Sequence, residues 1–191
     1  FGAGGQGIGS TIVAKEAGAQ VILIGAAGDE QRLELARNMG ADHVINASNQ
    51  DPLKAVLKLT DGVGANIVVY AVGGPAGLKA FDQGLDMLAT GGLMHLIGLY
   101  EDQPLPLSST KIQGRRLLGG YFGHDGSPVE HGRRAFELLK TNAIQTQRMT
   151  SHRFPYMRAA KAFDLLYNNL SEAMGVILDW ETEDAATKVT K

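Results

Sequence analysis

The chain has 191 residues, of which 44% are hydrophobic and 20% charged, with a formal net charge of -2. This is enough apolar chain for one full domain and part of another; it excludes a disordered or fibrous protein and leaves no basic surface suited to nucleic acid or an anionic membrane. Cysteine is absent, which excludes disulfides and thiolate zinc sites within the chain, and no apolar run approaches the roughly 20 residues of a membrane helix. The expectations are a cytoplasmic protein with a small-molecule partner.

The chain opens on FGAGGQG, where Gly2, Gly4 and Gly7 satisfy GxGxxG. Such a loop follows a buried strand, yet only Phe1 precedes it and there is no initiator Met. The expectation is a chain that has lost most of its first strand and whatever came before it. IGSTIVAKEAG then has helical spacing, with Ile8, Ile12, Val13 and Ala17 inward and Gly18 as its stop. AQVILIG reads as a strand buried on both faces, and DEQRLELARNMG as a helix with Asp29 and Glu30 at its positive end and Leu33, Leu35, Ala36 and Met39 inward.

DHVIN is a short strand, and DPLKAVLKLTDG a helix capped by Asp51 with Pro52 at its first position. ANIVVYAVG is a strand, GLKAFDQGLDMLATGG a helix and turn, LMHLIGLY and RRLLGGYFG strands, and SPVEHGRRAFELLKTN a helix. This alternation predicts an α/β fold of βαβ units, a doubly wound parallel sheet covered on both faces. From Met149 the rhythm changes to MTSHRF, a helix after Pro155, and a last strand, GVILDW, with no visible partner strand. The predicted boundaries are 1–148 for the sheet domain, 149–180 for a segment belonging to another domain, and 181–191 for a polar tail that frays.

Each glycine of the loop has its own task in a dinucleotide fold. Gly2 permits the turn out of the strand, Gly4 lets backbone approach a pyrophosphate, and Gly7 lets helix and strand pack closely. The helix start at Gly5 and Gln6 offers unpaired N–H groups to the anion. GxGxxG alone also occurs in structural turns; the ordered helix, strand and βα units behind it favour the dinucleotide. Where NAD-binding domains carry an acid for the ribose hydroxyls, this strand ends in Gly25, Ala26, Ala27 and Gly28. That opening leaves room for a 2′-phosphate, with Arg32 as the nearest base, and it tilts the choice between NAD and NADP towards NADP. Asp29 has two readings, as a ribose ligand or as a helix cap.

The loop, RLELARNMGADHVIN, GVGANIVVYAVGGPAGL, LATGGLMHLIGL and SHRFPYMRAAKAFDLL, in this order, resemble the cofactor-binding half of a medium-chain dehydrogenase/reductase of the zinc-dependent alcohol, polyol and threonine dehydrogenase group. The resemblance implies a GroES-like catalytic domain, absent here, that supplies the zinc and most of the proton relay, with residues 149–180 as the segment returning to it. It implies that Ala71, Val72 and Gly73 lie along the adenosine and ribose, that Ile97, Gly98 and Leu99 pass the nicotinamide, and that Gly120 and Phe122 approach it. Relatives place a Lys or Arg just before the last strand, where this chain has Gly175.

The activity implied is hydride transfer between NAD(P) and a small alcohol or polyol and its carbonyl, with this chain alone inactive. The alternatives are a zinc-free quinone or enoyl reductase of the same superfamily and a stand-alone nucleotide-binding module. The resemblance also implies a homo-oligomer paired through the edge strand at residues 115–123.

Other constellations are read as structural. His43, His95, His124, His131 and His152 show no ligand-like pairing, and none of Tyr70, Tyr100, Tyr121, Tyr156 and Tyr167 has a Lys four residues on, as short-chain dehydrogenases require. The GRR runs at Gly114 and Gly132 read as solvated faces.

Overall fold

Helices and strands alternate along the chain as the hydrophobic pattern demands. The computed structural model describes residues 1–73, 77–98, 104–105, 107–120, 127–141, 143–181 and 187–188. Its first elements are α1 (Gly5–Glu16), β1 (Ile22–Gly25), α2 (Glu30–Asn38), β2 (His43–Asn46), α3 (Pro52–Leu59), β3 (Ala65–Tyr70), α4 (Gly77–Met87), β4 (Leu88–Leu96), β5 (Arg116–Gly119) and α5 (Pro128–Lys140). They are followed by α6 (Thr146–Met149), β6 (His152–Pro155), α7 (Ala159–Asn168), β7 (Val176–Asp179) and β8 (Thr187–Lys188).

β1 pairs with β2, and β3 with β4 and β4 with β5, all in parallel. Phe1 and Gly2 join the two groups. The Phe1 amino group donates to the Val69 carbonyl at 2.8 Å and the Ala71 N–H to the Phe1 carbonyl at 2.9 Å, while the Gly2 N–H donates to the Ile24 carbonyl at 2.9 Å. Two residues thus bond as a strand between β1 and β3. Counting them first, the strand order is the 3-2-1-4-5-6 of the Rossmann fold.

The core forms on both faces. Ile8, Ile12, Leu33, Ala36 and Met39 pack with Leu23 on one side, and Val56 and Met87 with Ile24 and Ile45 on the other. Val68, Tyr70, Phe81, Leu85 and Met94 continue the core under α4, with Tyr70 and Phe81 edge to face at 5.8 Å. Each fully buried side chain here contributes about 2–3 kcal/mol.

Several expectations are corrected. Val13 is 56% exposed and Ala17 is exposed, because at 3.6 residues per turn they stand about 140° and 180° round from Ile8. Thr11 takes the inward place and donates its hydroxyl to the Gly7 carbonyl at 2.9 Å. The expected turn at ATGG lies inside β4, which begins at Leu88; its register against β3 jumps from Leu88 to Leu93 as the partner advances from Ala65 to Ile67. Met149 ends a short helix rather than opening a strand. The strand from residue 149 onward has its partner within the same segment, since β6 pairs with β7 in parallel. The tail returns to it as well, β8 pairing antiparallel with β6.

A cavity of about 350 Å³ lies between β1 and β3, bordered by Phe1 and Gly7. It is lined by residues 19–24, residues 64–69, Ser10, Thr11 and Ala14 of α1, and Val56 and Met87. Alternate residues of a parallel strand present N–H and C=O to the same side. The Val21 and Gly25 carbonyls accept from His43 and Ala47, so Ile22 and Ile24 turn their backbone away from β2 and towards this slot. Tyr70 accepts from Ile97 and Gly98, so Ile67 and Val69 do the same from the opposite wall. The slot is thus bordered by backbone hydrogen-bonding edges on both walls, and Ile67 beside it is 62% exposed.

Candidate cofactor site

The site starts from the glycine loop at the point where strand order reverses. Gly4 occupies the N-cap of α1 with extended backbone (φ -76°, ψ -175°), and no side chain caps the helix. The first N–H groups of α1 therefore point outward without intrahelical partners, at its positive end. Gly5 and Gln6 are exposed there. A Cβ added at Gly4 or Gly5 would meet nothing within 4 Å, whereas one at Gly7 would stand 1.7 Å from the Gly2 carbonyl oxygen. The loop is open towards solvent and closed towards its own helix, as an anion cradle requires.

The far wall consists of strand ends. Residues 71–73 follow β3, and the Ala71 carbonyl lies 2.8 Å from where a Gly2 Cβ would be. Ile97 and Gly98 both donate to the Tyr70 carbonyl, at 3.0 and 2.8 Å, and a Cβ on Gly98 would come within 2.3 Å of the Val72 oxygen. Backbone thus packs on backbone between Val72 and Gly98. Gly120, at φ +115°, continues the row: its N–H reaches the Leu96 carbonyl at 3.4 Å and its carbonyl lies 3.0 Å from His95 Nε2. Gly2, Gly4, Gly5, Gln6, Gly7, Ala71, Val72, Gly73, Ile97, Gly98 and Gly120 therefore lie in the glycine loop or at the carboxyl ends of the strands, with Gly2 against Ala71 and Gly98 against Val72. Leu99 and Phe122 lie outside the described residues.

The end of β1 differs from the expectation. The room left by Gly25 is taken by Asp29, whose Cβ and Oδ2 stand 3.0 and 3.1 Å from where a Gly25 Cβ would be. Asp29 holds the N-cap position of α2 but makes no capping bond. Its Oδ2 accepts the Ala26 N–H at 2.9 Å and its Oδ1 accepts from Arg32 Nη1 at 3.0 Å. Arg32 is turned away from the crevice: its Nη2 donates to the carbonyls of Leu170 and Ala173. The pair is mostly enclosed, with side chains 14% and 18% exposed. Glu30 sits beside it, accepting from Asn46 Nδ2 at 3.0 Å at the end of the neighbouring strand.

The remaining candidates resolve simply. Gly175 lies against Met149, whose carbonyl oxygen is 2.5 Å from its Cβ position, so the place of a basic side chain is filled by backbone. Arg133 and Arg134 pair with Glu130 on the exposed face of α5, and Arg115 donates to the Lys111 carbonyl. His124 lies outside the described residues. Among the described residues no cluster of His, Asp or Glu could hold a metal ion, so they do not fit a zinc site. No helix among them is long and apolar enough to cross a membrane.

Residues 5–140 match the profile of the zinc-binding dehydrogenases. This chain belongs to that family. L-threonine 3-dehydrogenase of Bacillus subtilis (strain 168) is 34% identical over 178 residues, covering 87% of this chain and 46% of the relative. An alcohol dehydrogenase of Cupriavidus necator is 32% identical over 176 residues, covering 88% and 45%. Among solved structures, benzyl alcohol dehydrogenase from Acinetobacter calcoaceticus superposes with a TM-score of 0.79 at 26% identity, over 92% of this chain and 47% of the other. An alcohol dehydrogenase from Thermus sp. ATN1 gives 0.74 at 30% identity, over 92% and 48%. The chain spans about half the length of the relatives it matches.

Sequence reasoning reached the loop and the strand ends because both are local. It missed Asp29 as the side chain over Gly25 and Arg32 as a tether to the C-terminal segment. The Asp-x-x-Arg spacing that pairs them on one helical turn was the available signal.

Proposed function

We propose that this chain is the dinucleotide-binding part of an NAD(P)-dependent oxidoreductase acting on a small alcohol or polyol and its carbonyl. The observation that carries this reading is the uncapped start of α1 behind an open Gly4, at the switch point between Gly2 and Ala71. In this reading the helix N-terminus and loop amides hold the pyrophosphate. Residues 71–73 line the adenosine side, and Ile97, Gly98 and Gly120 present backbone to the nicotinamide. The dinucleotide supplies or accepts the hydride; the chain binds and orients it. The threonine and alcohol dehydrogenases it resembles support a hydroxyl-bearing substrate.

The reading assigns zinc to an N-terminal catalytic domain rather than to this chain, finds no acid or base in this chain, and groups residues 149–180 with that domain. NADH fluorescence titration should show saturable binding while no alcohol is oxidised. Absence of binding at millimolar NADH overturns the cofactor assignment, and zinc-dependent alcohol oxidation by this chain overturns the division of labour.

The same reading includes a homo-oligomer paired through β5, which bonds to β4 on one side only among the described residues and leaves a sheet edge open. Light scattering that finds only monomer at high concentration counts against it.

A further inference from the structure

Resting on the reading above that Gly120 presents backbone to the nicotinamide, we propose that His95 is a positioning residue for that end of the dinucleotide. Its ring holds the Gly120 carbonyl where a carboxamide N–H can meet it. Successive side chains of a strand point to opposite faces. Met94 is buried under α4, so His95 stands on the other face of β4, half-buried. From there it reaches the carboxyl end of β5, where its Nε2 lies 3.0 Å from the Gly120 oxygen. A carbonyl oxygen only accepts, so Nε2 carries the proton and donates it.

The backbone alone holds Gly120 weakly. The ladder between β4 and β5 ends at the pair Leu96 and Gly119. Beyond it the Gly120 N–H reaches the Leu96 carbonyl at 3.4 Å, long for such a bond. Gly120 also sits at φ +115°, a conformation open to glycine that takes the chain out of the strand. A Cβ added at Gly119 or Gly120 would meet nothing within 4 Å, so this end of β5 is open. Of the two bonds that fix Gly120, the one from His95 is the shorter.

A backbone carbonyl has two lone pairs, and His95 takes one. The other is left for a ligand. The nicotinamide end of a dinucleotide offers an N–H donor in its carboxamide, and a carbonyl held in place selects the ring orientation in which that group faces β5. Without the imidazole, the carbonyl turns with the glycine that bears it, and part of the binding free energy goes into fixing it. His95 thus acts through Gly120 and touches no ligand itself.

Isothermal titration calorimetry of the 191-residue chain with NADH and with ADP-ribose, which lacks the nicotinamide, separates the two ends of the site. The wild type is expected to bind NADH at least about threefold more tightly. His95→Phe should weaken NADH about 3- to 10-fold and leave ADP-ribose within about twofold, whereas a purely structural defect weakens both alike. His95→Gln keeps an N–H donor near the Nε2 position and should restore NADH binding. His95→Asn places its donor where Nδ1 stands and should not. Circular dichroism melting confirms that each variant is folded.

Equal affinity of the wild type for NADH and ADP-ribose overturns the proposal. So does a His95→Phe variant that keeps its NADH affinity or loses both ligands in proportion. Proton–nitrogen correlation NMR of the wild type in mildly alkaline buffer tests the bond without any variant: the ring should be the Nε2–H tautomer, and the Nδ1–H tautomer overturns the proposal. Binding of neither NADH nor ADP-ribose fells the dinucleotide reading itself, a result distinct from equal binding of the two.

Discussion

The carbonyl oxygen of Gly2 lies 1.7 Å from the point where a Cβ on Gly7 would sit, while the same test at Gly4 meets nothing within 4 Å. One glycine of the motif is required by the fold, and the other opens outward, where the proposed dinucleotide would lie. Gly7→Ala should therefore cost about 3 kcal/mol or more, because backbone must move to admit the methyl group. Gly4→Ala should leave stability within about 0.5 kcal/mol, its backbone being one any residue adopts, yet weaken NADH at least about 10-fold. Thermal melts and NADH titration of the two variants separate the roles, and equal stability losses would contradict this division.

Although the Phe1 ring is partly exposed, its amino group is enclosed, and burial lowers its pKa from 8.0 to about 6. Between these values the unfolded chain binds a proton that the folded chain does not, so stability should rise as the pH goes from about 6 to about 8. The gain is on the order of 2 kcal/mol. Urea midpoints across that range check it. N-terminal acetylation removes the charge and should flatten the profile; an unchanged slope would exclude Phe1 as its source.

Joining five apolar β-branched residues in front of Phe1 should fill the slot between β1 and β3. The edges at Ile22, Ile24, Ile67 and Val69 would gain hydrogen bonds and Ile67 would lose its exposure. The melting temperature should rise by about 5 °C or more. The same extension with a central proline cannot donate to the ladder and should give less than half that rise. Amide exchange supplies the local readout: protection should appear at Ile22, Ile24, Ile67 and Val69, and protection confined to other residues would show the extension lying elsewhere.

Asp51 accepts the N–H groups of Leu53 and Lys54 at 3.0 and 3.2 Å and closes the start of α3. Asp51→Ala should cost about 1 kcal/mol, with Asp51→Ser recovering most of it. Denaturant titration of both variants reads the difference.

What was legible in the sequence was what neighbouring residues settle among themselves. The alternation of strands and helices, the Asp51 cap and the Gly7 contact all lie within a few residues, and the structure shows the cap and the contact as read and the alternation apart from the stretches at ATGG and Met149. Two features were out of reach because they join distant parts of the chain. Phe1 bonds to Val69 across 68 residues, and Arg32 bonds to Leu170 and Ala173 across 138 and 141. Asp29 shows a subtler limit. In sequence it stands where a capping residue belongs, and only the path through Ala26, Ala27 and Gly28 (φ +84°) folds its carboxylate back over Gly25.

Three main-chain hydrogen bonds of Phe1 and Gly2 stitch the β1 side of the sheet to the β3 side. Gly2 is also the first glycine of the loop. Seam and cradle are thus the same stretch of chain, and a ligand resting there acts as a clasp across two leaves. By mass action, any molecule that binds only the closed arrangement holds the leaves together in proportion to its affinity. In the dinucleotide reading, occupancy of the glycine loop therefore adds to the resistance of this chain to opening along its middle.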